Sequence, residues 1–337
     1  MIKEAIGQLV GGHSLTMDES STVMNEIMEG TATPAQFGAF VTALRFKGET
    51  VEEIAGLART MRGKSLRVLI AEPVVDTCGT GGDGTGTFNI STTAAFVAAA
   101  CGLKVAKHGN RAMSSQCGSA DVLEALGVKI DLNPAQVQKC LETVGIGFML
   151  APVFHPAMKY AAGPRKEVGI RTVFNILGPL TNPAGAGAQV LGVPEKSLTM
   201  KMAVVLKILG CHHALVVHGE DGLDEITNTG KTFISELKNG AITYYEITPE
   251  EFGLQRASPE SLKGGSAKDN AGLLRGILSG KKGPQRDIVL MNTAAALTVG
   301  DKVTTFGQGI DMAGAAIDSG KALQKVEELI KFSQNAG

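Results

Sequence analysis

Apolar positions in the first 65 residues recur at helical spacing and break at glycines. Between Thr33 and Gly48, Phe37, Phe40, Val41, Leu44 and Phe46 supply an apolar face, and Pro34 stands where a first helical turn accepts proline. Thr16-Met17-Asp18-Glu19 and Thr50-Val51-Glu52-Glu53 read as capping boxes, in which a hydroxyl and a carboxylate satisfy free amides at a helix start. Gly30, Gly48 and Gly63 are expected to end the helices. Such a set makes a small helical domain, residues 1–65, whose apolar face must pack on something else. From Leu66 the texture changes. VLIAEPVVD, LKVA, GIGFMLA, AQVLGV, HALVVHG and DIVLM read as short apolar strands alternating with helices. The pattern predicts a large α/β domain over residues 66–337, with its functional loops beyond the strand carboxyl ends.

One stretch interrupts that rhythm. AGPRKEVGIRTVFNILGPLTNPAGAG, residues 162–187, is rich in glycine and proline and polar at Arg165, Lys166 and Arg171. A short helix can run from Arg171 to Leu177, ended by Gly178 and Pro179, with a turn at Asn182-Pro183. The segment reads either as a connection between domains or as the place where an arginine fork closes over a carboxylate.

Composition narrows the class. The 337 residues carry a formal net charge of −1, which argues against a general nucleic-acid binder. Five cysteines, an odd number without paired motif spacing, suggest reduced thiols, and Cys78 reads as a small buried side chain rather than a nucleophile. MIKEAIGQLVGG is too short and polar for a signal sequence, and AAFVAAA is far below the roughly 18 apolar residues that cross a bilayer. A cytoplasmic protein with no membrane partner is the expectation.

Candidate chemistry concentrates in residues 76–119, DTCGTGGDGTGTFNISTTAAFVAAACGLKVAKHGNRAMSSQCGS. Gly79, Gly81, Gly82, Gly84 and Gly86 fall within eight positions, and no Asp or Glu lies between Gly84 and Ala120, where Lys104, Lys107, His108 and Arg111 do. That composition suits an anion pocket: glycines let backbone amides approach an oxyanion, and hydroxyls and lysines add donors. The segment reads as strand, loop and helix, the helix STTAAFVAAACG opening near Asn89 with free amides and a favourable dipole. A second unit follows, with Leu103 to Ala106 as a strand, KHGNRAMSS as a polar loop and a helical stretch from Asp121 to Leu126. Two loops of this kind can hold a substrate with more than one phosphate. An ordinary glycine-rich turn, a solvated Lys107 and a structural His108 are the competing readings. A nicotinamide cofactor fits poorly, because the acid expected about 20 residues on is absent and Gly102 and Lys104 stand there. The ATP-type loop also fails, since no G-K-[ST] follows.

Asp224-Glu225 follows HALVVHGEDGL, a strand and a glycine turn, and so lies on the edge where the substrate loops open. Magnesium prefers carboxylates together with phosphate oxygens, which would suit this pair; a solvated turn is the other reading.

Taken together, DTCGTGGDGTGTFNIST, KHGNRAMSS, GPRKEVGIRTVFNILGPLTNP and HGEDGLDEIT resemble, in order and spacing, the motifs of the anthranilate phosphoribosyltransferases across nearly the whole chain. Met113, Gln116 and Cys117 stand where small or polar residues are commoner in that family. The resemblance implies a small helical domain, joined by part of 162–187, on a large domain with a mixed central β-sheet flanked by helices. It implies transfer of the phosphoribosyl group of 5-phosphoribosyl 1-diphosphate to the amine of anthranilate, releasing diphosphate, in tryptophan biosynthesis, by a homodimer paired through the helical domains. Gly79, Gly82, Asp83, Thr87, Asn89, Ile90, Ser91, Thr92, Lys107, His108, Gly109, Asn110, Arg111, Ala112, Met113, Ser114, Ser115 and Ser119 would surround the donor. Ser91, Asp224 and Glu225 would hold magnesium (Mg2+). Lys107, Asn110 and Arg165 would act in the transfer, anthranilate lying near Gly79, Asn110 and Arg165 with His108 close by. Diphosphate leaves readily once its charge is neutralised, so C1 can gain oxocarbenium character before the amine attacks, with no strong base and no covalent intermediate.

Three other readings compete. A pyrimidine nucleoside phosphorylase shares the architecture, but its substrate loops should differ from KHGNRAMSS and from the Asp-Glu pair. A non-catalytic nucleic-acid-binding relative would want a basic excess that is missing. A purely structural protein would leave both polar loops without a ligand.

Overall fold

The structure, a computed structural model, describes residues 1–112 and 116–336. Four helices open the chain: α1 (Ile2–Val10), α2 (Met17–Glu29), α3 (Pro34–Lys47) and α4 (Val51–Lys64). The Thr16, Thr33 and Thr50 hydroxyls accept from the amides of Glu19, Gln36 and Glu53, whose side chains return the bond. Two expectations are corrected. Helix α4 runs through Gly63 to Lys64 and stops at an extended Ser65. Phe46 is 95% exposed, because Phe37, Phe40, Val41 and Leu44 define the buried face and a residue two beyond Leu44 points roughly 200° away from it.

The strands are β1 (Val75–Gly79), β2 (Val105–Gly109), β3 (Ile146–Leu150), β4 (Ala188–Gly192), β5 (His213–Gly219), β6 (Thr232–Lys238) and β7 (Ala241–Ile247). Among the described residues they form one seven-stranded mixed sheet in the order β3-β2-β1-β4-β5-β6-β7. The first five are parallel to their neighbours, and β6 and β7 are antiparallel additions. The β6–β7 hairpin is absent from the apolar-run pattern. Its turn is Asn239-Gly240, both at positive φ, while β7 is an edge strand with mostly exposed side chains and hence no apolar signature. DIVLM, expected as a strand, lies inside a helix that is buried all round, and an apolar run without periodicity fits both. Strand β2 also continues past Ala106, so Lys107, His108 and Gly109 belong to the sheet and the polar loop begins at Asn110.

The remaining helices are α5 (Ile90–Ala100), α6 (Ser119–Leu126), α7 (Pro134–Thr143), α8 (Ala151–Phe154), α9 (Lys159–Val168), α10 (Phe174–Leu177), α11 (Ser197–Ile208), α12 (Ala267–Leu278), α13 (Pro284–Val299), α14 (Phe306–Asp318) and α15 (Lys321–Asn335). Alternation along the strands sends Val190 and Leu215 into a core with α5 and α13, and Leu191 and Val216 to the other face. That second face packs against α11 and, through Phe37, Leu57, Phe174 and Leu177, against the first four helices and α10. The 162–187 region therefore shares a core with the opening helices. Among the described residues no helix is long and apolar enough to cross a membrane.

Candidate active site

Strand β1 leads to β2 on one side, whereas β4 lies on its other side, so the chain reverses its order between β1 and β4. Crevices open at such switch points, beyond the strand carboxyl ends. Here both strands end in glycine, Gly79 opposite Gly192. A β-carbon on Gly79 would stand 2.2 Å from the Asp224 carboxylate, and one on Gly192 would stand 1.6 Å from the Asp224 carbonyl oxygen. Small size at these two positions admits the 224–225 turn, which comes just after β5.

The glycine loop is fastened from three sides. The Thr80 amide donates to the Gly192 carbonyl at 3.0 Å. The Gly81 amide donates to Asp224 Oδ2 at 2.7 Å. Arg171, from the segment between α9 and α10, donates to the carbonyls of both Gly81 and Gly82. Gly82 holds φ at 74°, and a side chain there would strike the Arg171 guanidinium. Asp83 turns back onto Thr85, accepting from its hydroxyl at 2.6 Å. The loop then pairs at Thr87 with Lys263 and enters α5. Asn89 occupies the N-cap without capping; its side chain instead donates to the Cys117 carbonyl and accepts from Asn270. The Ser91 amide donates to Glu225 Oε1 at 3.1 Å. Ile90 and Thr92 point into the protein, 1% and 2% exposed, so they position the turn through packing.

Beneath the loop lies a buried charge cluster. Lys107 is 3% exposed and its ammonium donates to the Thr77 carbonyl, with Asp76 and Glu225 as nearby opposite charges. Asp76 accepts from Asn182 Nδ2 at 2.7 Å and from the His108 amide at 3.4 Å. Burial raises its carboxyl to about 6 despite Lys107. Burial likewise raises Asp224, with Asp83 pressing in the same direction, and raises Glu225 further through the added charge of Asp224. Cys78 keeps its proton: burial and the Asp76 charge push the thiol well up. Two buried carboxylates in one dipeptide, resisting ionisation against a single lysine, fit a divalent cation well. Among the described residues no group of three or more His, Cys, Asp or Glu could hold a metal, so a cation here requires oxygen ligands from elsewhere, such as Ser91 and a phosphate.

The second loop is tied down by α6. Ser119 Oγ and the Ala120 amide donate to the Asn110 carbonyl, and the Ala112 and Gly118 amides donate to Asp121. Arg111 bonds Asp121 and Glu124 on the surface, so its guanidinium is committed to α6 in this conformation. Gly109 packs directly under Ser119. Met113, Ser114 and Ser115 lie outside the described residues. On the other side of Lys107, the His108 and His155 rings lie 5.0 Å apart. Burial lowers His108 to about 3 and His155 to about 4, so both are neutral imidazoles. His108 Nδ1 lies 3.2 Å from the Gly178 carbonyl, just after α10, whereas the Arg165 guanidinium sits 5.4 Å over the ring of Phe174, which begins α10. A four-residue helix spans only about 6 Å, so both contacts fall on one short segment, residues 174–178.

Four residues here carry no site signal of their own in the sequence: Asp76, His155, Asn182 and, as a clamp on the loop, Arg171. Asp76 lies in β1 just ahead of the glycine loop and His155 follows a strand carboxyl end, a position that marks functional side chains in such sheets.

The sequence matches the model of the glycosyl transferase family a/b domain over residues 71–323 and that of the glycosyl transferase family helical bundle domain over residues 3–65. It is 61% identical over 337 residues to an anthranilate phosphoribosyltransferase of Dehalococcoides mccartyi, covering 99% of each. The fold is similar to the crystal structure of anthranilate phosphoribosyltransferase from Thermus thermophilus, with a TM-score of 0.93 and 44% identity over 98% of this chain and 99% of that one. It is also similar to the Saccharomyces cerevisiae enzyme in complex with PRPP and Mg, with a TM-score of 0.91 and 30% identity over 99% and 98%.

Proposed function

The chain belongs to the anthranilate phosphoribosyltransferase family and catalyses that transfer in tryptophan biosynthesis, and we propose that it does so in the crevice between β1 and β4. The carrying observation is the pair of long-range bonds that bring Asp224 to the Gly81 amide and Glu225 to the Ser91 amide, across 143 and 134 residues. In this reading the glycine loop and the α5 amino end bind the diphosphate of 5-phosphoribosyl 1-diphosphate, and Lys107 lends positive charge from beneath. Ser91, Asp224 and Glu225 would hold Mg2+. When bound, the cation would neutralise charge that builds up on the leaving diphosphate. Asn110 and the polar loop that begins there would orient the ribose end.

Arg165 binds the anthranilate carboxylate, leaving the ortho amine free to attack C1 as diphosphate departs. Neutral His108 and His155 complete that side of the pocket, where a charged imidazolium would compete with Arg165 for the carboxylate. No covalent intermediate is needed, and the Cys78 thiol has no part in bond making.

We further assign residues 1–65, with part of 162–187, to one domain and the rest of 66–337 to the other. Homodimer formation through the helical domain is supported by Phe46, which is almost fully exposed on α3. Assignment to the cytoplasm rests on five free cysteines among the described residues. The deciding experiment mixes purified protein with anthranilate, 5-phosphoribosyl 1-diphosphate and magnesium and follows the disappearance of anthranilate fluorescence. Loss of signal only when all three are present supports the reading; thymidine phosphorolysis instead would overturn it.

A further inference from the structure

The amides best placed to receive a phosphate are already in use. Gly81 opens the bend of the glycine loop and Ser91 lies in the first turn of α5, yet each donates to a carboxylate of the Asp224-Glu225 pair, at 2.7 and 3.1 Å. The Asp224 main chain is wedged over Gly192 and its carboxylate against Gly79, so the turn itself has little room to shift. Rotation of the two side chains is the freedom that remains. Arg171 grips the loop from the opposite side, through the Gly81 and Gly82 carbonyls, so the loop stays formed while its amide is capped.

We propose that Asp224 and Glu225 act as internal caps in the donor-free enzyme, occupying the Gly81 and Ser91 amides until a divalent cation draws the carboxylates away. This rests on the reading of the crevice as the donor site. Cation and anion then bind as a linked pair, each raising the affinity of the other by the same factor. The caps also keep the loop amides from stray phosphate when no cation is present. A net amide hydrogen bond is strong enough for its exchange to change affinity by roughly two- to tenfold.

The test uses inorganic diphosphate as probe and isothermal titration, with EDTA and then with magnesium, on wild type and four variants. Asp224→Asn and Glu225→Gln remove the charge but keep an oxygen that can cap; Asp224→Ala and Glu225→Ala remove both. In EDTA each alanine variant should bind diphosphate roughly two- to tenfold tighter than its amide counterpart. Equal affinities within each pair would mean that charge alone matters and would overturn the inference while leaving the donor site intact. Should an alanine variant fail to fold, amide hydrogen exchange on wild type decides. Magnesium alone should speed exchange at Gly81 and Ser91, and unchanged exchange while magnesium demonstrably binds would overturn the caps. Wild type that binds no diphosphate even with magnesium would overturn the donor-site reading, and the caps with it.

Discussion

Gly192 ends β4 so close beneath Asp224 that a β-carbon there would stand 1.6 Å from the Asp224 carbonyl oxygen. Backbone cannot yield as a side-chain tip can. Gly192→Ala should therefore lift the whole 224–225 turn and cost about 1–3 kcal/mol, as other overpacked sites do. Gly79→Ala meets the carboxylate end instead, at 2.2 Å, and should cost less stability while still impairing transfer. Thermal melts beside magnesium titrations of turnover would check the contrast, and equal melting losses would contradict it.

Lys107 is buried between the Thr77 carbonyl and the charges of Asp76 and Glu225. Removing one member of a buried charge cluster leaves the others uncompensated, at a cost of about 3 kcal/mol. Lys107→Met should lower the denaturation midpoint and weaken donor binding together. Adding Asp76→Asn should return part of the stability but not the donor affinity, a separation that a double-mutant cycle reads directly.

For Arg165, the expected defect lies on the acceptor side. Its guanidinium rests over Phe174 at the start of α10, the short helix after which the Gly178 carbonyl meets His108. Arg165→Ala should raise the apparent KM for anthranilate by roughly tenfold or more, as loss of a charge-assisted bidentate contact would, with a smaller effect on the donor. Arg165→Met keeps bulk and should behave alike. A large donor defect at normal anthranilate dependence would assign this arginine to the other half of the crevice.

The Asp224-Glu225 pair predicts a stability profile as well as an activity. Glu225 is raised from 4.5 to about 8, by burial first and Asp224 second. A carboxyl raised in the folded state holds its proton longer than in the unfolded chain. Its favourable contribution is full below 4.5 and is lost as pH rises towards 8. Glu225→Gln should flatten that decline and melt on the order of 2–4 °C higher than wild type at pH 8, while turnover falls. Magnesium should restore wild type at the same pH. A variant no more stable at pH 8 than at pH 5, relative to wild type, would remove burial as the cause.

The threonine capping boxes at Thr16 and Thr50, the glycine loop after a strand and the anion-friendly start of α5 are legible in the sequence because each depends on neighbours within a few residues. Local dihedrals, caps and missing side chains write themselves into sequence. The α13 segment DIVLM and the exposed Phe46 depart from their pattern for a related reason. Burial on all sides, or on none, is set by what packs around an element, which its own pattern does not contain. The motifs could place Asp224 and Glu225 at a loop edge, but not on the Gly81 and Ser91 amides. That meeting follows from the reversal of strand order between β1 and β4, which sets the carboxyl end of β1 beside those of β4 and β5, so that the turn after β5 lies over Gly79 and Gly192. Asp76, Asn182 and Arg171 gained their places in the same way, through bonds across 32 to 106 residues that only the assembled fold creates.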